Sequence, residues 1–552
     1  VKRQDIDQLL AQAKSERQRF EPVWGDLGDY LLPGSRIFLG QSSPTDARLR
    51  EGDRLDEKVL DTTATEAVEG TAAGLMSNST SPARPWFSLA VSDPRVRDLE
   101  TVKRWLSDCT DRLREAFIKS NIYNALHQAY IDLPVYGTAC ITVDEDERSG
   151  IIARVHPIGT YWLLTNARRQ VDGFLRHFPM TARQMVQEFG DRVPGAVKVA
   201  AKNPATSLQP FTVGHAILPS ADYEAGNPFR KRWASCYWCD GHQDPQFLRE
   251  GGYDEFPVLA PRWSVLGESA YGRGPGWKVL GHVKALQSMW RRKHMADEQV
   301  INPALLIPSS HQGAVSRLPG AENYLDNPEQ VRPLHNVPFD SQRCIEVIQD
   351  LRSAINSGLY RSLFMMLEAD KRSGMTAREI DERAQEKMTA LGPMLERLNF
   401  ELYAPLIDRA WGILWRRGYF DAPPEIIQGT DLRVEYMSTM ARAQKMTDLR
   451  SMDNFISYAM QVAQAKPDVL DKIDFDRSLE ERADMLGIPP RILRSDAVVA
   501  QERDQRAQQQ AAQQQAMQDA QQAQTLKNLA GARTDEPNAL VAAGQAAAEG
   551  MQ

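Results

Sequence analysis

Apolar residues recur at threes and fours through most of this chain, the spacing of helices buried along one face. Leu9, Ala13, Phe20, Trp24, Leu27 and Leu31 predict one helix over 3–32, stopped by Pro33-Gly34. A polar loop follows over 35–55, then an Ala- and Thr-rich helix over 57–80. "SPARPWFSL" (81–89) is extended, and 98–132 is helical again. From Val135 the texture changes to short apolar runs between turns, such as "ACITVDED", "IIARVHP", "FTVGHAIL" and "RWASCYWC". This predicts a mostly β region over 135–265, with a helical insertion near 181–201.

Helix returns over 275–300, with Pro275 near its first turn, where a missing N–H costs least. Residues 301–338 are irregular and Pro-rich, with one possible strand, "ALLIP". Ile345, Ile348, Leu351, Ile355, Leu359, Leu363 and Met366 then predict a single amphipathic helix over 340–368. A short polar loop over 369–375 separates it from a second long helix. That helix opens on a capping box, Thr376 with Glu379, and its stripe runs through Ile380, Met388, Leu391, Leu398 and Leu402 to about Gly418. Pro393 and Pro405 fall inside the pattern and predict kinks. "LRVEYMS" (432–438) is strand-like, and 442–500 is mostly helical with breaks at Pro467 and Pro489-Pro490. Between Gln501 and Gln524, 12 of 24 residues are Gln. With so little to bury, this stretch is a peripheral helix or a disordered tail.

Charge narrows the function. The 552 residues carry 66 basic and 73 acidic side chains, a net charge of −7, so the whole surface is not a basic nucleic-acid binder and any such contact is local. The beginning, "VKRQDIDQLL", lacks the apolar core of a signal peptide. No run of 18 apolar residues predicts a membrane span. Five scattered cysteines point to a reducing compartment and synthesis in a cytoplasm, with no disulfide framework.

Enzyme signatures are missing: there is no G-x-x-x-x-G-K-[ST], H-E-x-x-H or G-x-S-x-G, and no cofactor is expected. Cys236, Cys239 and His242 in "CYWCDGH" have soft-ligand chemistry. They lack a fourth ligand, however, and a strand would turn the two thiols to opposite faces. "DEDERSG" (144–150) resembles a calcium loop, but Ser149 stands where the turn needs Gly, so a hairpin is the better reading. Trp86-Phe87 reads as a core anchor. Arg291, Arg292 and Lys293 form a basic cluster with His294, fit for phosphate, for a subunit contact or for a plain solvated face.

The order of these elements resembles the portal, or head-to-tail connector, proteins of short-tailed bacteriophages. The resemblance rests on "EPVWGDLGDYLLPG" (21–34), "DTTATEAVEGTAAGLMSNSTSPARPWFSL" (61–89), "YGTACITV" (136–143), "YGRGPGWKVLGHVKALQ" (271–287) and "MTAREIDERAQEKMTALGP" (375–393), and covers about 15–500. It implies a mainly helical α+β portal fold in a ring of typically twelve copies at one capsid vertex of the virion. Residues 1–274 would be the wing, 275–300 and 339–368 the stem helices, and 301–338 the clip. Residues 369–375 would be the tunnel loop, 376–441 the long kinked helix and returning wing strand, 442–500 the crown, and 501–552 an unmatched Gln-rich tail. Leu351 and Ile355 would then help the stem pack on neighbouring copies. Lys371 and Arg372 would ring the channel and meet passing double-stranded DNA without reading its sequence. The implied partners are a packaging ATPase (the terminase), a tail adaptor, capsid protein and scaffold protein. The rival is another ring or scaffold protein of a virion, such as a tail adaptor or internal capsid protein.

Overall fold

The computed structural model describes residues 2–39, 52–53, 55–91, 93–97, 99–221, 230–241, 246–307, 309, 315–316, 320–323, 331–333, 341–364, 391–427, 432–436, 439–464, 466–486, 492, 494 and 496–530. Most of them are helical, and the strands pair antiparallel, so the class is α+β. The chain divides into one unit of residues 1–97 and 105–456 and another of residues 98–104 and 457–552.

In the larger unit, the helix expected over 3–32 is two helices, α1 (Arg3–Gln18) and α2 (Glu21–Leu31). Pro22, in the first turn of α2, has no N–H to continue the α1 ladder. The two helices bury different faces. Ile6, Leu10 and Ala13 of α1 cover one side of a sheet, while Trp24, Leu27 and Leu31 of α2 enter the main core. Helix α3 (Thr63–Ser79) leads to β1 (Phe87–Val91). Trp86 and Phe87 are buried edge to face at 4.6 Å, as core anchors should be. The helical stretch 98–132 divides into α4 (Glu100–Lys119) and α5 (Ile122–Tyr136).

The β region contains two sheets. Strands β2 (Ile141–Asp146), β3 (Gly150–Val155) and β9 (Val258–Leu259) run in the order β3-β2-β9. A second sheet joins β4 (Tyr161–Thr165), β5 (Val171–Thr181), β6 (Pro210–Pro219), β7 (Trp233–Cys239) and β8 (Arg249–Tyr253) in sequence order. Between β5 and β6 lie α6 (Ala182–Phe189) and α7 (Gly195–Lys202), the expected insertion. "TARQ" begins α6 with a capping box between Thr181 and Gln184.

Helix α8 (Gly276–Ile301) and helix α9 (Ser341–Gly358) pack antiparallel. Gly358 lies against Val279 at one end, and Arg352 lies over Trp290 further along, its guanidinium carbon 5.5 Å from the ring. Beyond their far ends, β10 (Leu305–Leu306) pairs with β11 (Arg332–Pro333), so "ALLIP" does hold a short strand. The helix expected over 340–368 is interrupted. After Gly358 the chain turns at Leu359 and Tyr360, where Tyr360 adopts φ +64°, and helix resumes over 361–364. Two contacts fix the break: the Thr71 hydroxyl donates to the Leu359 carbonyl at 2.5 Å, and Trp263 stacks on Tyr360.

Helical turns over 391–398 pass into a π-turn, Asn399–Tyr403, and then α10 (Ala404–Arg416). Pro405 cannot donate to the carbonyl one turn back, and the helix widens just before it, with the Ala404 N–H reaching Asn399 O. Strand β12 (Leu432–Tyr436) returns to pair along the whole of β1. Helix α11 (Thr439–Ala463) follows. The smaller unit holds a 3-10 segment, Pro467–Lys472, then α12 (Phe475–Leu486) and α13 (Asp496–Ala530). The Gln-rich stretch is therefore helix, exposed at every described position but Glu502.

Candidate functional site

Helix α8 carries the basic cluster, and its seat is built from glycines. Cβ atoms at Gly274 and Gly276 would fall 2.4 and 3.0 Å from the Pro134 carbonyl oxygen at the end of α5. One at Gly272 would fall 2.3 Å from the Gly137 carbonyl oxygen. Gly137 itself ends α5 at φ +84°. "YGRGPG" therefore brings backbone against backbone where side chains would hold the helix off.

A polar joint then locks α8 to α9 and α3. The Asp61 side chain is 2% exposed and accepts from the Thr63 N–H, from Trp290 Nε1 at 2.5 Å and from the Arg352 guanidinium at 2.8 Å. Burial alone would raise its pKa, but the Thr63 hydrogen bonds and the Arg352 charge outweigh burial and lower it. Gln287 completes the joint: its Oε1 accepts from the Leu60 and Asp61 N–H groups, and its Nε2 donates to the Asp61 carbonyl. An open cleft of about 470 Å³ borders the joint, with Arg361 paired to Glu66 on its wall. Sequence reasoning missed Asp61; the available signal was an Asp two residues before the first helical residues of a capped segment.

Next to this joint the basic cluster divides. Lys293 is used within the chain: it pairs with Asp297 at 2.7 Å and sits 5.7 Å from the Trp290 ring centre. His294 stacks on the same indole. Arg291 and Arg292 are exposed and carry no hydrogen bond or ion pair among the described residues. Lys371 and Arg372, the Thr376 capping box and the loop over 369–375 lie outside the described residues. Of the two stripe residues expected to pack on neighbours, Ile355 is 0% exposed inside this chain's own core, with Leu351 partly buried against it. Both hold α9 onto its own subunit, because the stripe that predicted the helix is satisfied internally.

The ligand-like motifs resolve into packing. Cys236 and Cys239 lie in two different core clusters, one on each face of β7. Burial pushes both thiols up to about 11. Among the described residues no group of three His, Cys, Asp or Glu is placed to hold a metal; His242 lies outside them. "DEDERSG" is the β2–β3 hairpin, with the Asp146 carboxylate accepting from the Arg148 and Ser149 N–H groups and from the Ser149 hydroxyl. Among the described residues no helix is long and apolar enough to cross a membrane.

The π-turn makes a second joint. Glu401 accepts from the Arg262 guanidinium at 2.7 Å and from the Arg262 N–H at 2.9 Å; the Arg262 side chain is 4% exposed. From the same turn, Tyr403 accepts a hydrogen bond from the Tyr130 hydroxyl, which also bonds Thr80. Both joints tie distant segments together, and neither presents a nucleophile or a poised base.

The described residues thus form a mainly helical chain with antiparallel sheets and a long helical pair bearing a short ladder. Residues 3–493 match the family described as bacteriophage head to tail connecting protein, and the chain belongs to that family. It is 40% identical over 551 residues to the portal protein of Salmonella phage epsilon15, covering 98% of both chains. It is 36% identical over 536 residues to the probable portal protein of Bordetella phage BPP-1, covering 96% of this chain and 95% of that one.

Proposed function

We propose that the chain is a portal protein, a closed ring at one capsid vertex through which double-stranded DNA enters and leaves and to which tail and motor proteins attach. The observation that carries this reading is the family match over 3–493, joined to two portal relatives aligned over nearly their full length. The same match speaks against the rival of an internal scaffold or a separate tail adaptor.

Within this reading α8 and α9 are the stem. At about 1.5 Å per residue the 26 residues of α8 span roughly 39 Å, enough to cross a ring wall. Residues 301–338, capped by the β10–β11 ladder, are the clip and face the motor and tail adaptor. The two β sheets with the helices before them are the wing, the β1–β12 pairing returns the chain to it, and the helices after 442 are the crown. Lys371 and Arg372 line the channel and meet DNA phosphates without reading sequence. The force for packaging comes from a separate ATPase, the terminase.

Electron microscopy of negatively stained, purified protein tests the reading: closed rings with a central hole are expected, and discrete small particles in every condition would contradict it. Deleting 312–330 tests the clip. Rings should still form while motor and adaptor no longer dock; normal packaging and tail attachment would refute that assignment.

A further inference from the structure

The α8–α9 pair carries two sets of charges that have no partner among the described residues. On α8, Arg291 and Arg292 are exposed and unpaired among the described residues. On α9, Glu346 and Asp350 are exposed and equally unpaired. The neighbouring charges behave differently: Lys293 takes Asp297, and Arg352 takes Asp61.

The two sets stand at the same height. Antiparallel packing places Val279 beside Gly358 and Trp290 beside Arg352, so residues near 291 on α8 are level with residues in the upper 340s on α9. Each set also faces away from the buried face of its own helix. The buried face of α9 is marked by Ile348 and Ile355; at roughly 100° per residue, Glu346 and Asp350 lie about 160° round from Ile348, on either side. The buried face of α8 runs through Val279, Val283 and Leu286, and Arg292 lies nearly opposite it. Arg292 therefore faces away from the buried face of α8, and Glu346 and Asp350 face away from that of α9, where the exposed Arg343 shares their side of the helix. Apolar side chains flank both: Met295 is 59% exposed beside the arginines, and Ile345 and Val347 are 37% and 39% exposed beside the acids.

A helical pair with unpaired arginines on one helix and unpaired acids on the other is complementary to a copy of itself placed head to tail, and head-to-tail contacts close into rings when the rotation allows. We propose that Arg291 and Arg292 of one copy pair with Glu346 and Asp350 of the next copy. The inference rests on the ring reading above and names the residues that set its register. It assigns the arginines to a protein partner and leaves DNA to other residues.

Charge exchange tests it. The variants are R291E/R292E, E346K/D350K, and the chain carrying all four changes, each compared with wild type by sedimentation velocity and negative stain. All four sites are exposed and unpaired, so circular dichroism and thermal unfolding should match wild type. Each two-site variant should lose at least about tenfold in ring fraction, because like charges then face each other. The four-site chain should regain rings. Mixing the two two-site variants in equal amounts should also regain them, because an alternating ring sets acid against base at every contact. Folded two-site variants that form rings like wild type would overturn the pairing alone, and so would failure of both the four-site chain and the mixture. Absence of wild-type rings would overturn the portal reading and the pairing with it.

Discussion

Asp132 is a carboxyl group 8% exposed in α5, in the same core as Tyr136, Cys140 and Tyr161, with no hydrogen bond or ion pair to its side chain among the described residues. Burial pushes its pKa up to about 7. The folded chain therefore binds a proton that the unfolded chain has already lost. Stability from this group is full below the ordinary carboxylate pKa and falls as pH rises to about 7. At about 1.4 kcal/mol per unit, the loss above that point is on the order of 4 kcal/mol. Asp132→Asn should raise the unfolding temperature at pH 8.5 and change it little at pH 4; equal effects at both would show that folding does not shift the carboxyl's pKa. Nothing in the residue order marks this group, because an Asp on a helix is ordinarily solvated and only tertiary packing buries it. Cys236 and Cys239 went the other way: strand alternation alone put them on opposite faces, and they are there.

At the scale of elements, the apolar pattern was legible wherever one stripe served one contact. The β region, its helical insertion, α8 and the returning strand all followed from period and turn residues. Breaks made by distant segments were not legible. Ile355, Leu359 and Leu363 keep helical spacing straight through the turn at 359–360, which Thr71 and Trp263 impose from elsewhere in the chain. The glycines of "YGRGPG" were legible as a family signature but not as a seat, since the atoms they admit belong to α5. Gly274→Ala should cost about 1–3 kcal/mol by forcing a methyl onto the Leu133 and Pro134 carbonyls. Gly281→Ala, with nothing within 4 Å of the added carbon, should be neutral or stabilising. Thermal unfolding of both variants checks the contrast, and equal losses would mean that α8 does not depend on the close approach.

The whole molecule has no surplus of positive charge, which on the proposed portal reading suits a conduit that must let DNA slide. Its candidate channel residues were read from the sequence by their setting alone: a charged loop between two strongly patterned helices. On the proposed channel role, Lys371→Ala with Arg372→Ala should leave assembly and stability nearly unchanged, since that role asks nothing of either side chain in folding. It should alter how firmly packaged DNA is held, measured as DNA content and leakage of particles. Normal retention would remove the charges from the mechanism, and failed assembly would make the loop structural. The ring itself is the claim on which the others stand. It is tested most directly by imaging the purified wild-type protein under negative stain. The expected result is closed rings of uniform size around a hole wide enough for duplex DNA; isolated small particles across all concentrations and salt conditions would contradict it.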